Sequence, residues 1–358
     1  MTIYKLTIRP LTSFRTPLQS DTIFGHLMWA LRYLEGEEAL VAFLDRCRSG
    51  APPMLVSAGF PSGYLPLPVL SPGQEPEKQG RKDKKQDRDP TIADRVVRKM
   101  LRKALQDDRY LPLELWQEIA DHLSGDVLES SLGGACEEQR RLREELRELK
   151  EQEQDHSITH TAVDRVTGSA REGRLFVSEE TFYGPGRTFD VWHKVLAKDD
   201  DLVARLNRWW RWVQRNGFGR RKSAGHGAFR IECDGLIEAD AELPQVANPN
   251  GFVTLSAWIP RRGNPTKVTY RTRIKRGKLA ETLALPSPWK KPLLMLKPGA
   301  VARLPKGEKT VREWYGRMVQ DMHWVGESVP DQQKEAVRNV VQYGYAFPLP
   351  VHLPKEEV

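Results

Sequence analysis

Four glycines, three consecutive cations, a hydroxyl group and an imidazole lie within residues 217–227. Glycine permits positive φ angles and close approach of a ligand to the backbone, and successive N–H groups in such a loop form a concave site for anions. Neighbouring cations add charge-assisted hydrogen bonds to phosphate. The pattern predicts a site for the backbone of a polyanion, made of Gly217, Gly219, Arg220, Arg221, Lys222, Ser223, Gly225, His226 and Gly227. A basic turn between a helix and a strand explains the same residues without a ligand, and the spacing leaves both interpretations open.

The glycine-rich stretch does not match a nucleotide-binding P-loop. That motif has a glycine directly before its Lys-Ser pair, whereas Arg221 precedes Lys222 and Ser223 here. A P-loop also follows a strand, and the residues before 217 are predicted to be helical.

Two further stretches offer polar side chains to a ligand. Ser20, Asp21 and Thr22 begin a predicted helix, whose first N–H groups attract anions, and His26 follows them. His26 lies away from the centre of the helix's apolar stripe, so it either reaches a ligand or has a structural or surface role. A polar, turn-rich and basic stretch at 160–176 predicts a hairpin-like projection or a long surface loop. Its candidate residues are His160, Arg165, Thr167 and Arg171.

The charge of the chain favours an anionic partner. The net charge is +8 and the pI is about 9.3. Residues 261–312 contain 15 Lys or Arg and only 2 acidic residues, so this segment exceeds the net charge of the whole chain. Residues 266–275 alternate in type, which predicts a strand with Arg271 and Arg273 on one face, and Lys291 follows in the same segment. We interpret the segment as a surface for phosphates; a solubilising run of charge is the alternative.

Composition argues against several other classes. Cys47, Cys136 and Cys233 lie far apart without a CxxC pair, so neither a zinc site nor a disulfide framework is predicted, and no cofactor is expected. A reducing cytoplasm is the simplest setting. Residues 1–9 alternate like a strand rather than a signal peptide, and no apolar run reaches the roughly 20 residues that span a bilayer.

The candidate loop must be positioned by the elements around it. Alternation predicts a first strand at 2–9, and helical spacing predicts a helix from a Ser20 or Asp21 N-cap to Gly36. A second helix at 199–215 leads into the glycine-rich loop, and a strand at 228–233 leaves it. The resulting order of strand, helix, insertions, strand, helix, loop and strand fits a ferredoxin-like or RRM-like sheet with helices on one face.

The rest of the chain suggests an insertion and a second domain. Residues 71–90 predict a mobile loop, 91–125 have helical spacing, and 136–155 predict a solvated helix, so we expect a helical or disordered insertion at 71–155. A turn-rich junction follows residue 240, and strands are predicted at 252–259 and in the apolar tail 343–351. We therefore expect an α+β protein with domains at 1–240 and 241–358.

Several separated stretches resemble one family. They are residues 20–27 (SDTIFGHL), 163–168 (VDRVTG) with Leu175, Phe176 and Glu179, the loop 217–227, residues 291–296 (KPLLML) and the tail 343–351. In combination these motifs resemble the RAMP proteins of CRISPR systems, in particular those that form the fourth subunit of the type III-A Csm interference complex. The resemblance runs from the first strand to the tail and leaves residues 71–155 unmatched.

The resemblance implies a fold and a function. Members have two ferredoxin-like domains, hold the 5′ tag of the crRNA, dock the large polymerase-like subunit and abut a backbone RAMP subunit. They are not themselves nucleases. A projecting thumb, residues 156–176 here, lies near the start of the duplex between guide and target RNA. The resemblance implies that all the candidate residues named above contact RNA.

Two catalytic alternatives stay open. A related crRNA-processing RAMP endoribonuclease works without metal, and His26 could supply its base while Lys222 stabilises the phosphorane. Metal-dependent cleavage at Asp164 is the other alternative, although a structural ion pair with Arg165 is the preferred interpretation and two-metal chemistry needs more carboxylates than this stretch has. The sequence does not separate the Csm branch from other type III branches.

Overall fold

The chain consists of two compact units, each made of two segments. The structure, a computed structural model, describes residues 2–70, 110–133, 136–197, 201–279, 289–322 and 339–354. The first unit comprises Met1–Ser62 and Glu148–Ala239, and the second comprises Gly63–Arg147 and Asp240–Val358. The predicted loop at 71–90 lies outside the described residues. Residues 110–147, predicted as an insertion in the first domain, group with the second unit because they pair with it, for example through the bond from the His352 N–H to the Ala120 carbonyl (2.8 Å).

The described chain contains six α-helices and seventeen strands. The helices are α1 (Ser20–Glu35), α2 (Glu37–Arg48), α3 (Leu113–Ile119), α4 (Gly125–Gly133), α5 (Glu137–Glu151) and α6 (Leu202–Asn216). The strands are β1 (Thr2–Pro10), β2 (Met54–Pro61), β3 (Tyr64–Pro66), β4 (Tyr110–Pro112), β5 (Glu153–Val163), β6 (Ala170–Tyr183), β7 (Phe189–Val195), β8 (Phe229–Ile231), β9 (Ile237–Glu238), β10 (Gly251–Thr254), β11 (Val268–Thr269), β12 (Thr272–Lys275), β13 (Leu293–Leu296), β14 (Val301–Arg303), β15 (Tyr315–Gly316), β16 (Tyr345–Ala346) and β17 (Pro348–Val351). None of these helices has the length and apolar character that crossing a bilayer demands.

The first unit is built on an antiparallel sheet in the order β2-β7-β1-β8, with β9 also paired to β1. If α2 and the elements between β2 and β7 are set aside, the order is β1, α1, β2, β7, α6 and β8, which is the β-α-β-β-α-β order of ferredoxin-like folds. The strands β2 and β7 were not predicted from the sequence. The predicted strand at 175–183 belongs instead to β6, outside this sheet.

Two helices pack their apolar stripes on the sheet. α1 buries Phe24, Leu27 and Leu31, and α6 buries Trp209 and Trp210, as their helical spacing predicted. The Glu35 carboxylate joins the helices, because it accepts hydrogen bonds from Arg205 (2.6 Å) and from the indole N–H of Trp209 (2.6 Å). The predicted N-cap of α1 was wrong by one residue. Gln19 occupies that position without a side-chain cap, and Ser20 and Asp21 are buried.

A long β-hairpin leaves this unit between β2 and β7. β5 and β6 pair from Glu153 opposite Tyr183 to Val163 opposite Ala170. α5 ends at Glu151, so the helix predicted to 155 gives way to a strand. Large apolar side chains are exposed in the distal half of the hairpin, including Leu175 (71%) and Val166 (95%).

The second unit contains a four-stranded sheet in the order β11-β14-β10-β17 and smaller two-stranded sheets, among them β12-β13. Its core includes Phe252, Trp258 and Tyr315, and the rings of Phe252 and Tyr315 stack at 4.2 Å. In the described part of 241–358, α-helices do not connect these strands, so a second ferredoxin-like domain stays a prediction.

Candidate nucleic-acid interface

The backbone of the glycine-rich loop takes positive φ angles at its glycines. Gly217, Gly219, Gly225 and Gly227 all have positive φ angles, between 71° and 86°. A Cβ atom on Gly227 would lie 1.9 Å from the Phe218 carbonyl oxygen. The glycines therefore close the loop on itself.

Much of the loop's hydrogen-bonding capacity is used inside the protein. The Phe218 N–H binds the Gly227 carbonyl (2.9 Å), and the Gly227 N–H binds the Ser13 carbonyl (2.9 Å). The Gly219 N–H donates to Nε2 of His26 (2.9 Å), so it is not directed to a phosphate as the sequence suggested. Internal hydrogen bonds hold the backbone of the loop, so its side chains are the groups most exposed to a ligand.

His26 acts as an acceptor for the loop. Burial, and to a lesser extent the charge of Lys222, lowers the pKa of His26 to about 4, so the imidazole is neutral near pH 7. With Nε2 accepting from Gly219, the ring proton is on Nδ1. Its ring also lies 4.7 Å from that of Phe218. This geometry gives His26 a structural role beneath the loop.

The three cations of the loop are exposed and have no acidic partner among the residues that the structure describes. Within the part of the chain that the structure describes, no carboxylate lies within ion-pair distance of Arg220, Arg221 or Lys222, and all three are exposed. By contrast, nearby Arg15 is paired with Glu180. Three uncompensated cations on a rigid loop form an electropositive surface that suits phosphates.

Two of these cations rest on aromatic rings. The guanidinium of Arg221 lies 5.3 Å from the ring of Phe176 in β6, and the Nζ of Lys222 lies 5.8 Å from the ring of Trp212 in α6. Trp212 stacks on Tyr33 at 5.2 Å, and Tyr33 is 60% exposed. Arg221 itself has φ 56°, a conformation that costs a non-glycine residue energy and is often found at functional sites. These contacts fix where the charges are presented.

A buried carboxylate ties the hairpin to the loop. Glu180 of β6 accepts hydrogen bonds from Ser13 Oγ (2.8 Å) and from Arg15, and His226 Nδ1 lies 2.9 Å from Ser13 Oγ and 3.4 Å from Glu180. Burial raises the pKa of Glu180, but the hydrogen bonds from Ser13 and Arg15 and the charges of His226 and Arg15 outweigh it and lower the pKa overall. The carboxylate is therefore ionised at neutral pH.

Halfway along the hairpin, His160 contacts both β6 and Arg15. Its ring stacks on Phe176 (5.0 Å, 15°), and its Nε2 lies 2.7 Å from Ser178 Oγ and 3.4 Å from Arg15. Phe176 is 41% exposed. The hairpin and the glycine-rich loop thus share one aromatic and cationic surface, which we call the loop–hairpin surface: His160, Phe176, Arg220, Arg221, Lys222 and His226.

The tip of the hairpin is a tight polar turn. The carboxylate of Asp164 accepts the N–H groups of Val166 (2.8 Å) and Thr167 (3.2 Å), so it closes the turn instead of forming the predicted ion pair with Arg165. Arg165 is exposed, Thr167 bonds Ser169 (2.8 Å), and the side chain of Arg171 lies outside the described part. The described residues hold no group of three or more His, Cys, Asp or Glu placed to share a metal ion.

The other predicted residues fall in different places. Ser20 and Asp21 are buried at the start of α1 and only Thr22 is partly exposed, so burial limits what this terminus offers a ligand. Ser223 is exposed in the loop. Of the cations in the second unit, Arg271 is exposed, whereas Arg273 contacts Met295 Sδ (3.8 Å). Lys291 is half-buried, and its N–H binds the Met322 carbonyl (2.6 Å).

The residues that support the loop–hairpin surface, and that were not predicted from the sequence, are Ser13, Arg15, Phe176, Glu180 and Trp212. The sequence contains a signal for two of them, Phe176 and Glu180. The alternation of the predicted strand at 175–183 places Phe176, Ser178 and Glu180 on one face. The partner of Glu180, Arg15, is 165 residues away, a contact that no local pattern encodes.

Comparison with known proteins identifies the fold. No protein-family model matches the sequence, and no curated protein matches it. A chain in a crystal structure of the Csm3–Csm4 subcomplex of the type III-A CRISPR-Cas interference complex matches with TM-score 0.58 and 12% identity, over 98% of this chain and 99% of that one. Chains in Csm1–Csm4 cassettes match over 99% of both chains, with TM-score 0.54 and 17% identity in complex with cA4, and TM-score 0.52 and 18% identity in complex with pppApA. Csm4 is common to all three assemblies. The chain therefore has the fold of chains found in these type III-A CRISPR-Cas assemblies, in agreement with the resemblance that its motifs predicted.

Proposed function

We propose that the chain is a non-catalytic, RNA-binding subunit of a type III CRISPR effector complex, which holds the 5′ tag of the crRNA in the cytoplasm. The observation that carries the proposal is the loop–hairpin surface, where three exposed cations, without acidic partners in the described part of the chain, adjoin aromatic side chains. Single-stranded RNA is bound by this combination, since cations track its phosphates and aromatic rings stack on its bases.

Each part of the surface has a distinct role in this proposal. Arg220, Arg221 and Lys222 bind tag phosphates and supply affinity, while Phe176 and His160 offer ring faces to an unstacked base. Arg221 and Phe176 start in contact with each other, so RNA binding replaces a cation–π contact with a phosphate contact and a stacked base. The hairpin, extending from this surface, lies near the start of the duplex between guide and target RNA, as in the family's thumb.

The proposed role in a type III CRISPR complex also implies protein partners. We infer that the chain docks the large polymerase-like subunit and adjoins a backbone RAMP subunit, since its fold matches chains from assemblies that pair Csm4 with Csm1 and with Csm3. The exposed apolar side chains at the hairpin tip suit a contact with a partner molecule better than contact with water.

The competing function, metal-independent RNA cleavage, finds little support in the geometry. Its candidate base is His26, whose Nε2 accepts the Gly219 N–H and whose pKa of about 4 makes it a weak base at neutral pH. Incubation of the purified chain with repeat RNA in EDTA tests it. Cleavage that disappears in His26→Ala, with the loop still folded, would replace our proposal.

The proposal is tested by crRNA binding of a triple variant, R220A/R221A/K222A. We expect at least a tenfold loss of affinity, since each charge-assisted contact contributes about 1 kcal/mol or more. The matched control R140A/R141A/K150A removes the same charge from exposed positions of α5 and should bind like the wild type. Equal affinities for the two variants would reject the role of the loop.

A further inference from the structure

A cavity lies between the C-terminal half of α6 and the turn that follows β8, outside the loop–hairpin surface. Its volume is about 320 Å³, at the lower end of the range of about 300–1,000 Å³ that is usual for ligand pockets in proteins. The described residues that line it are Arg211, Gln214, Arg215, Ile231, Cys233 and Asp234. All six belong to the first unit. We call this site the α6–β8 cavity.

Two arginines of α6 supply the positive charge of the cavity. Arg211 and Arg215 are four residues apart, so they lie on one face of the helix, about one turn from each other. Both are exposed, and neither has an ion pair with a carboxylate among the residues that the structure describes. The other two arginines of this helix, Arg205 and Arg208, each have a carboxylate partner. The cavity therefore holds the two arginines of α6 whose charge is available to an anion.

Hydrogen bonds position the polar groups of the lining. Nη2 of Arg211 donates to the Asp234 carbonyl (3.3 Å). Oε1 of Gln214 accepts the Ile231 N–H (2.9 Å), which leaves the NH₂ group of this amide to donate to a ligand. Asp234 is exposed, and its carboxylate is the one anionic group among the six lining residues. The lining thus combines two guanidinium groups and an amide donor with a single carboxylate.

This combination fits a phosphate group attached to a ribose. Guanidinium groups match phosphate with planar, charge-assisted hydrogen bonds. The carboxylate of Asp234 disfavours a bare anion, but it accepts hydrogen bonds from hydroxyl groups, which a ribose supplies beside its phosphate. An apolar ligand would leave both guanidinium groups without a partner, and a cation would meet two like charges. The residues therefore favour a ribonucleoside phosphate over these other classes of ligand.

We propose that the α6–β8 cavity binds a ribonucleoside phosphate, with Arg211 and Arg215 on the phosphate and Asp234 on a ribose hydroxyl. This site does not rest on the proposed function, because none of its residues belongs to the loop–hairpin surface. The chain from Arg215 to Arg220 spans at most about 18 Å when fully extended. The phosphate therefore has two possible sources, an RNA strand that also reaches the loop or a free mononucleotide.

Protection of Cys233 from alkylation by iodoacetamide measures whether the cavity is occupied. Cys233 and Cys136 are exposed and Cys47 is buried, so Cys136 is an internal control within the same full-length chain. We expect uridine monophosphate (UMP) to slow the alkylation of Cys233 severalfold, as followed by peptide mass spectrometry. Uridine, which lacks the phosphate, should have no effect, and alkylation of Cys136 should stay constant. Unprotected Cys233 in the presence of UMP, or equal protection by uridine, would overturn the proposal.

Arg215→Ala tests the phosphate contact without disturbing the hydrogen bond between Arg211 and Asp234. We expect the UMP concentration that half-protects Cys233 to rise at least about tenfold, the effect of losing one charge-assisted contact. The control Arg262→Ala removes an exposed arginine of the second unit and should behave as the wild type. The alternative role of these arginines is to offset the partial negative charge at the carbonyl end of α6. It predicts a lower Tm for Arg215→Ala with unchanged protection, a result that would reject the site.

Oligouridine distinguishes the two sources of the phosphate. The variant R220A/R221A/K222A is used for this measurement, so that RNA on the loop does not shield the cavity. Protection by oligouridine at the same or a lower concentration than UMP assigns the cavity to an RNA strand, whereas weaker protection assigns it to a free nucleotide; both results uphold the site. Loss of UMP protection in this variant would show that the cavity is not a separate site. Wild-type chain that binds crRNA while UMP fails to protect Cys233 rejects the cavity alone and leaves the proposed function in place.

Discussion

At the scale of single residues, His26 shows how a side chain suited to chemistry serves the architecture instead. Its neutral ring accepts the Gly219 N–H, and protonation of Nε2 would break that hydrogen bond. Burial lowers its pKa from 6.5 to about 4. His193, which accepts the indole N–H of Trp210 (2.9 Å), has its pKa lowered to about 3 by burial. Both histidines bind a proton more readily in the unfolded chain.

These shifts predict the pH dependence of stability. Between pH 6.5 and about 4 the unfolded chain binds protons at His26 and His193 that the folded chain does not, so the free energy of unfolding falls as the pH falls through this window. Each histidine contributes a slope of about 1.4 kcal/mol per pH unit. In His26→Gln, whose amide oxygen can still accept from Gly219, we expect the slope to fall by about that amount, as measured by urea unfolding at several pH values.

An exposed histidine of the hairpin provides the control for this experiment. His156→Gln makes the same substitution at an exposed position of β5 and controls for the loss of an imidazole. A His26→Gln protein with the wild-type slope would show that this ring is already protonated when folded, contrary to its role as acceptor.

At the scale of elements, the glycine-rich loop depends on close backbone approach. Gly227→Ala would bring a Cβ within 1.9 Å of the Phe218 carbonyl oxygen, so we expect a loss of more than about 3 kcal/mol in the free energy of unfolding, together with weaker RNA binding. Gly225 also has a positive φ, 86°, but a Cβ there meets no atom within 4 Å. Gly225→Ala should therefore cost only about 1–2 kcal/mol. Equal losses in chemical denaturation would argue against the closed loop.

The base of the hairpin depends on Glu180. Replacing it by alanine leaves the buried Arg15 without its partner, a change that typically costs about 3–5 kcal/mol. We expect Glu180→Ala to raise the amide exchange rates of residues 153–183 by hydrogen-exchange mass spectrometry. Its exposed neighbour on the opposite strand face gives a matched comparison, and Glu179→Ala should leave exchange unchanged. Exchange that is the same in both variants would mean that Glu180 does not anchor the hairpin.

Hydrophobic periodicity in the sequence predicted the elements that have one buried and one solvated face. The apolar stripe of α1 and the alternation of β1 were sufficient to predict these two elements. Helical spacing was likewise sufficient to predict α6 before the glycine-rich loop. The strand β2 was missed because Met54–Pro61 is largely apolar, and a strand buried on both faces loses the alternation that marks a strand. The strand β7 was missed because it buries Asp190, His193 and Lys194, residue types that predict exposure. In the candidate site, the loop residues were predictable from their composition, whereas the pairing of Glu180 with Arg15 is a product of the tertiary fold.

At the scale of the whole molecule, the proposal makes crRNA binding an electrostatic event with a measurable salt dependence. Each phosphate contact on a single strand contributes about 0.7 to the slope of log K against log salt concentration. The variant R220A/R221A/K222A should therefore lower that slope by about 2, while R140A/R141A/K150A should not change it. An affinity that falls without a change in slope would indicate that the variant damages the loop rather than removing phosphate contacts.

The most direct test of the account is where the crRNA lies on the chain. An assembled complex can be prepared with crRNA that carries 4-thiouridine in its 5′ tag, irradiated, digested and analysed by mass spectrometry. The account predicts cross-links to peptides of the loop–hairpin surface, within residues 160–176 and 217–227. Cross-links from the tag that fall only on other parts of this chain, or only on other subunits, would contradict it.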